Sequence, residues 1–162
     1  MGDTQTDLPG NVISAPGRGR RERVLGVSHL YKAESRETAG ALTCLELTVP
    51  PGEGIPPHVH TREDEAFYVL SGSVTLHGAG DPALLETGGF FRGPRGHAHG
   101  FRNDGTEPAT LLIFITPGTG LEAMFGELAA LTGREEAHTA PGEIAELCGR
   151  YGVTFTDPPP GG

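Results

Sequence analysis

The sequence predicts an all-β fold of the jelly-roll kind, a sandwich or barrel of short strands, followed by two short C-terminal α-helices. Three observations carry that expectation. Gly (26) and Pro (14) together fill 40 of 162 positions, about a quarter. Gly supplies positive φ and Pro pre-sets φ in turns, so this density implies many short elements joined by tight turns. Apolar residues alternate in short runs up to about residue 116, the period of half-buried strands. After Pro117 the period becomes helical. With 36% apolar and 20% charged residues the chain is too apolar to stay unfolded throughout, and its Gly and Pro content excludes an all-helical bundle.

Residues 1–20 combine Gly, Pro and small polar residues without periodicity and are expected to form a flexible N-terminal arm. The barrel is expected over residues 21–117. Its strand-like pieces are Val24 to Tyr31, Ala41 to Val49 with Leu45, Leu47 and Val49 on one face, Glu65 to Leu70, Ser73 to His77, Phe90-Phe91, Ala98 to Arg102 and Ala109 to Thr116. Residues 118–162 read as a helical extension with a Pro/Gly tail. There Leu121, Met124, Phe125, Leu128 and Leu131 recur at helical spacing, Thr119 and Glu122 fit a capping box, and Gly133 sits at the C-cap. Met124 and Phe125 are expected to pack on the barrel and not to hold a cofactor. A second helix is expected from about Pro141 to Cys148 or Arg150, capped by Thr139 and ended by Gly149 and Gly152. Asp157 to Gly162 is polyproline-like and expected to fray.

Lys and Arg number 12 against 21 Asp and Glu, a formal charge of −9, so nothing draws the chain to nucleic acid or to an anionic membrane. Arg18, Arg20, Arg21 and Arg23 cluster without interleaved aromatics and are expected on an exposed arm or edge strand. The N-terminus has no basic segment followed by an apolar one, so no secretory signal is expected. Leu111 to Ile115, the longest aliphatic and aromatic run, is too short to span a bilayer. Cys44 and Cys148 belong to no metal or redox motif and are expected as buried thiols of a cytoplasmic protein.

The chemistry concentrates in a few positions. His58 and His60 stand two residues apart, which on an extended backbone puts both rings on one face. Glu65 opens the next strand, where a bend at residues 61–64 would return its carboxylate beside them, and His99 begins another strand. Neutral imidazoles with one carboxylate suit a borderline divalent first-row metal with open positions for water or substrate, and the absence of Cys argues against a closed structural zinc site. If the strand phase holds, Phe67 and Val69 follow Glu65 inward and Phe101 follows His99. With Leu45, Leu47 and either Phe114 or Ile113 they would form an apolar cup for a planar or hydrophobic small molecule. His97 shares the face of His99. Exposure or a supporting role is expected for it ahead of direct ligation, and any acid–base work would fall to Glu65 and His97. His29, His77 and His138 have no partners in sequence and are treated as ordinary.

The spacing is more specific than the residue types. Gly52, five residues, His58-Val59-His60, four residues, Glu65, six residues and Gly72 match the first signature motif of the cupin superfamily without a mismatch. Gly88, five residues, Pro94, one residue, Gly96, two residues, His99, three residues and Asn103 match the second in full. Fifteen residues, Ser73 to Thr87, separate them. The chain therefore resembles a single-domain cupin. Arg62 to Leu70, and the C-terminal helices ending in Tyr151-Gly152-Val153, look like a bacterial monocupin group labelled quercetin-dioxygenase-like.

That resemblance implies a double-stranded β-helix barrel over about residues 40–117 and one divalent transition metal ion per chain (Fe, Mn, Ni, Co, Cu or Zn) held by His58, His60, Glu65 and His99. It also implies a homodimer paired through barrel edges. The leading expectation is a metal-dependent dioxygenase acting with O2 on a flavonol-like or other enolisable or aromatic small molecule. Glu65 would take the substrate proton, as in the quercetinase-type cupins it resembles. The alternatives are a redox-neutral polyketide cyclase or isomerase, in which His97 or Glu65 moves a proton, and a small-molecule binding module without turnover. No helix-turn-helix pattern accompanies the barrel, so a transcription factor is not expected.

Overall fold

A computed structural model describes residues 10–133 and 139–156, and among them are eleven strands and two α-helices. The first nine residues of the expected arm, His138 and the Pro/Gly tail from Asp157 lie outside the described residues. Alternation from Val24 to Tyr31 suggests one strand, but the structure has two. β1 (Arg21–Val24) and β2 (Val27–Ala33) form a hairpin whose turn residues, Leu25 (φ 47°) and Gly26 (φ 83°), both have positive φ, the geometry whose twist suits a two-residue hairpin. Arg20 is tied to its neighbours: its guanidinium lies 3.7 Å over the Tyr31 ring and contacts Glu22 and Glu34.

β3 (Thr43–Val49), β4 (Gly54–His60), β5 (Asp64–Ser71), β6 (Ser73–Gly78), β7 (Gly80–Glu86), β8 (Phe90–Gly93), β9 (His99–Arg102) and β10 (Ala109–Thr116) follow. One sheet runs β1-β2-β3-β10-β5-β8. The core is built across its middle: Ile113 on β10 stands opposite Leu45 on β3 and Phe67 on β5, and Leu111 opposite Leu47 and Val69. All six face inward and are at most 4% exposed. Each contributes about 1.5–3 kcal/mol by leaving water, which makes this row the anchor of the barrel.

The second sheet continues past the barrel into the C-terminal segment. α1 (Leu121–Thr132) and α2 (Pro141–Arg150) lead to β11 (Val153–Phe155), and the sheet runs β11-β4-β9-β6-β7. β11 pairs with β4, Val153 opposite His60 and Phe155 opposite His58, so the helical extension returns a strand to the edge that carries the paired histidines. β7 escapes sequence reading because it is an edge strand containing Pro82, with six of its seven residues exposed and so no apolar alternation.

The caps differ from expectation. α1 starts at Gly120 without a side-chain cap, because the Glu122 carboxylate instead accepts hydrogen bonds from the Ser35 backbone N–H (2.6 Å) and the Thr43 hydroxyl, tying the helix to β3. Thr139 does not cap α2. Its hydroxyl donates to the Leu131 carbonyl at 3.3 Å, while Glu143 accepts from the Ala140 N–H at 3.1 Å. Gly133 occupies the C-cap of α1 as expected, and Met124, buried, packs into the barrel core. Cys148 is buried and Cys44 only partly so. No described helix is long and apolar enough to cross a membrane.

Candidate metal centre

β4 and β9 are paired so that His58 stands opposite His99, and β4 ends at His60, one pleat period from His58. Glu65 arrives from β5 in the other sheet. One donor atom from each of His58, His60, Glu65 and His99 lies within 4.8 Å of the others, so the four residues join the two sheets at one point. His58 Nε2 and His60 Nε2 are 2.9 Å apart, His99 Nε2 and Glu65 Oε2 2.8 Å, and His60 Nε2 and Glu65 Oε2 3.4 Å. All three imidazoles are buried.

Their tautomers follow from what stands behind them. His58 Nδ1 lies 2.9 Å from the Pro56 carbonyl and His99 Nδ1 3.1 Å from the His97 carbonyl. A carbonyl only accepts, so each Nδ1 carries a proton, and Nε2 is the ring atom that each leaves to face the cluster. Two nitrogens 2.9 Å apart repel if both present lone pairs, and a proton or a cation between them removes the repulsion. Three imidazole nitrogens and one carboxylate oxygen in this arrangement fit a divalent first-row ion. The turn that presents His99 is pinned to its partner strand, since the Gly96 N–H donates to the His60 carbonyl at 2.7 Å.

The titration of the cluster reflects the same crowding. Burial, with the neighbouring His60, takes the His58 imidazole down to about 4. Burial also opposes the His60 cation, but the Glu63 and Glu65 carboxylates outweigh it and raise His60 to about 9. Desolvation of the Glu65 carboxylate is likewise overcome by His60 and His99, which hold it well below the usual carboxylate range. Glu63 is the residue that sequence reading passed over. It is 1% exposed, and its Oε2 lies 3.8 Å from His60 Nδ1, too far for a hydrogen bond, so the attraction is electrostatic. Both atoms are buried without a hydrogen-bond partner among the described residues. Its position in the bend between β4 and β5 gives no periodic signal, which is why the sequence did not single it out.

His58, His60 and Glu65, though not His99, line an apolar cavity of about 60 Å3. Of the expected pocket residues, Leu45, Leu47 and Phe101 line it. Phe67 and Val69 do not: both are buried in the core, with Phe67 tilted against Phe91 and edge-on to Phe101 at centroid distances of 4.9 and 5.6 Å. Phe114 is corrected to Ile113, because β10 turns Leu111, Ile113 and Ile115 inward and Phe114 to the other face. His97 is exposed, its ring near the Arg95 carbonyl at 3.3 Å. Its backbone carbonyl meets His99 Nδ1 at 3.1 Å, and the residue is not among those lining the cavity. The sequence missed the C-terminal side of the cavity, where Met124, Phe125 and Leu128 of α1 and Phe155 of β11 complete the wall. His29, treated as ordinary, also lines it.

Comparison with known proteins places these features in a family context. Residues 45–115 match the family model described as "Cupin domain". The chain is 30% identical over 102 residues to a quercetin 2,3-dioxygenase of Bacillus subtilis (strain 168), an alignment covering 61% of this chain and 30% of that protein. It is 35% identical over 96 residues to germin-like protein 5-1 of Oryza sativa subsp. japonica, covering 53% and 41%. The chain thus spans well under half the length of these curated relatives. In fold it is similar to an RmlC-like cupin from Shewanella frigidimarina NCIMB 400, with a TM-score of 0.58 and 18% identity over 67% of this chain and 93% of that one.

Proposed function

Since this protein carries a cupin domain, we propose that it is a metal-dependent enzyme, a dioxygenase acting on a small enolisable or aromatic molecule. The observation that carries the proposal is the convergence of three imidazole nitrogens and one carboxylate oxygen, three of whose four residues, His58, His60 and Glu65, line an otherwise apolar cavity. The distant quercetin 2,3-dioxygenase relative supports the class of substrate.

His58, His60, His99 and Glu65 would hold the ion. When bound, a divalent transition metal supplies a Lewis acid that lowers the pKa of a substrate hydroxyl and, if redox-active, a partner for oxygen. Glu65 accepts the hydroxyl proton on a carboxylate oxygen, and the O–H electron pair stays on the substrate as an enolate or phenolate. Leu45, Leu47, Ile113 and Phe101 exclude water from that anion and orient the ring. A cavity of about 60 Å3 is well below the roughly 300 Å3 at which sites for drug-sized ligands begin. It favours a compact enolisable molecule, and a three-ring flavonol would require Phe125 to move.

The test is oxygen uptake. Metal-free protein loaded in turn with iron, manganese, nickel, cobalt and copper is expected to consume oxygen with small enediols or phenols. No uptake with any metal overturns the proposal, and turnover with zinc under nitrogen would replace it by a redox-neutral cyclase or isomerase. Pairing of two copies is likewise proposed, and the mass of the protein in solution tests it.

A further inference from the structure

We propose that His29 is a substrate-recognition residue, whose Nδ1 hydrogen-bonds a second polar group of the molecule that reaches the metal cluster. The inference rests on the preceding reading, in which an ionisable oxygen of that molecule lies against His58, His60, Glu65 and His99.

β2 places Val27, His29 and Tyr31 on one inward face, with His29 in register with Leu47 of β3. The imidazole is 3% exposed and lines the cavity. Its Nδ1 is buried with no hydrogen-bond partner among the described residues. The ring stands edge-on to Phe125, centroids 4.8 Å apart at 82°, a contact that fixes its plane without satisfying its nitrogen. Burial takes its pKa down to about 4 against the opposing pull of Glu65, so the ring is neutral at pH 7.

A buried polar nitrogen left unmatched is costly, and proteins rarely keep one without a use. The cavity offers it nothing. Apart from His58, His60 and Glu65 of the cluster, the Met124 thioether and the Cys148 thiol, every other residue lining it is hydrocarbon or aromatic. The missing partner is therefore a group on the ligand. This defines a chemical class: a compact ring or enediol with one ionisable oxygen at the cluster and a second hydroxyl or carbonyl at His29. A site that hydrogen-bonds such a group rejects the analogue that lacks it, because the site's own nitrogen is then left buried and unpaired.

Zinc-loaded protein, redox-silent and diamagnetic, is titrated with phenol, resorcinol and hydroquinone by calorimetry. At least one dihydroxybenzene is expected to bind roughly tenfold more tightly than phenol, the gain of one hydrogen bond to an otherwise unmatched group. His29→Leu should bring it to parity with phenol, and His29→Asn, whose amide can occupy the place of Nδ1, should restore the preference. In the wild-type protein the 15N resonance of His29 Nδ1 should move with that dihydroxybenzene and not with phenol, a readout independent of how the variants fold. Equal affinity for all three compounds, a preference unchanged in His29→Leu, or an Nδ1 resonance that does not respond overturns the inference. If phenol binds in any of these cases, the inference falls alone. If none of the three binds zinc-loaded protein, the reading of the cluster falls with it.

Discussion

Gly93 lies against the ring of His99: a Cβ added at Gly93 would stand 2.6 Å from His99 Nδ1, 2.8 Å from Cε1 and 2.9 Å from Cγ. Gly93 ends β8 in register with Glu65, so the missing side chain leaves room for an imidazole beside the carboxylate that shares its site. Gly93→Ala should displace the His99 ring and lower metal affinity at least tenfold while leaving the circular dichroism spectrum unchanged. Wild-type metal stoichiometry and affinity in that variant would contradict it.

The four-residue cluster predicts a sharp contrast with its neighbour in sequence. His58→Ala, His60→Ala or His99→Ala should each leave the purified protein with little bound metal, because each removes a donor from a site of four. His97→Ala should retain the wild-type content, because its ring is exposed and only its backbone carbonyl meets His99 Nδ1. Metal analysis of the four variants separates these outcomes.

Glu63 stands behind His60, buried with its Oε2 unpartnered. A carboxylate in that position orients the imidazole and raises its basicity, and losing such a group typically costs 10–100-fold in metal affinity. Glu63→Gln is expected to fall in that range when competed against a chelator. An affinity within twofold of wild type would show that the charge is not felt at His60.

His29 provides a pH signature of its own. Its folded pKa is about 4 against an ordinary 6.5, so between these values the unfolded chain binds a proton that the folded chain does not. Stability from this residue is fully present above pH 6.5 and is lost as pH falls toward 4, by at most about 3 kcal/mol. Urea unfolding at pH 7 and pH 5 should show a fall that is smaller by about 2 kcal/mol in His29→Leu than in wild type. Equal falls would mean that another group titrates.

Phe125 lines the cavity from α1 and stands edge-on to the His29 ring. Phe125→Ala should enlarge the cavity and tighten binding of a bulky flavonol such as quercetin, at a cost of about 2 kcal/mol in stability because the ring is only partly buried. Fluorescence titration and urea unfolding check the two effects. Unchanged flavonol affinity would show that another wall limits the site.

How much of this was legible in sequence depended on whether the signal was local. β10 was read with its observed bounds because Leu111, Ile113 and Ile115 alternate in a strand buried on its inner face; the start of α2 was legible because Pro141 opens it, but of its two expected ends the helix takes the later, Arg150, running through Gly149. β7 carried no apolar rhythm, since an edge strand has little to bury, and β11 was too short to show a period. The Thr119–Glu122 capping box failed for a different reason. Its carboxylate found a better partner in Ser35 and Thr43, residues nearly eighty or more positions away.

By itself the sequence determined the strand-rich class, the turns, and the spacing that marks His58, His60, Glu65 and His99 as one set, because pleat periodicity and turn chemistry act over a few residues. Tertiary structure alone decided which walls surround that set. Glu63 and Gly93, which lie against His60 and His99, and His29 and Phe125, which line the cavity, come from a bend, a strand end, a strand and a helix that no short-range pattern connects, and only packing of the two sheets and the returning α1–α2–β11 segment brings them together.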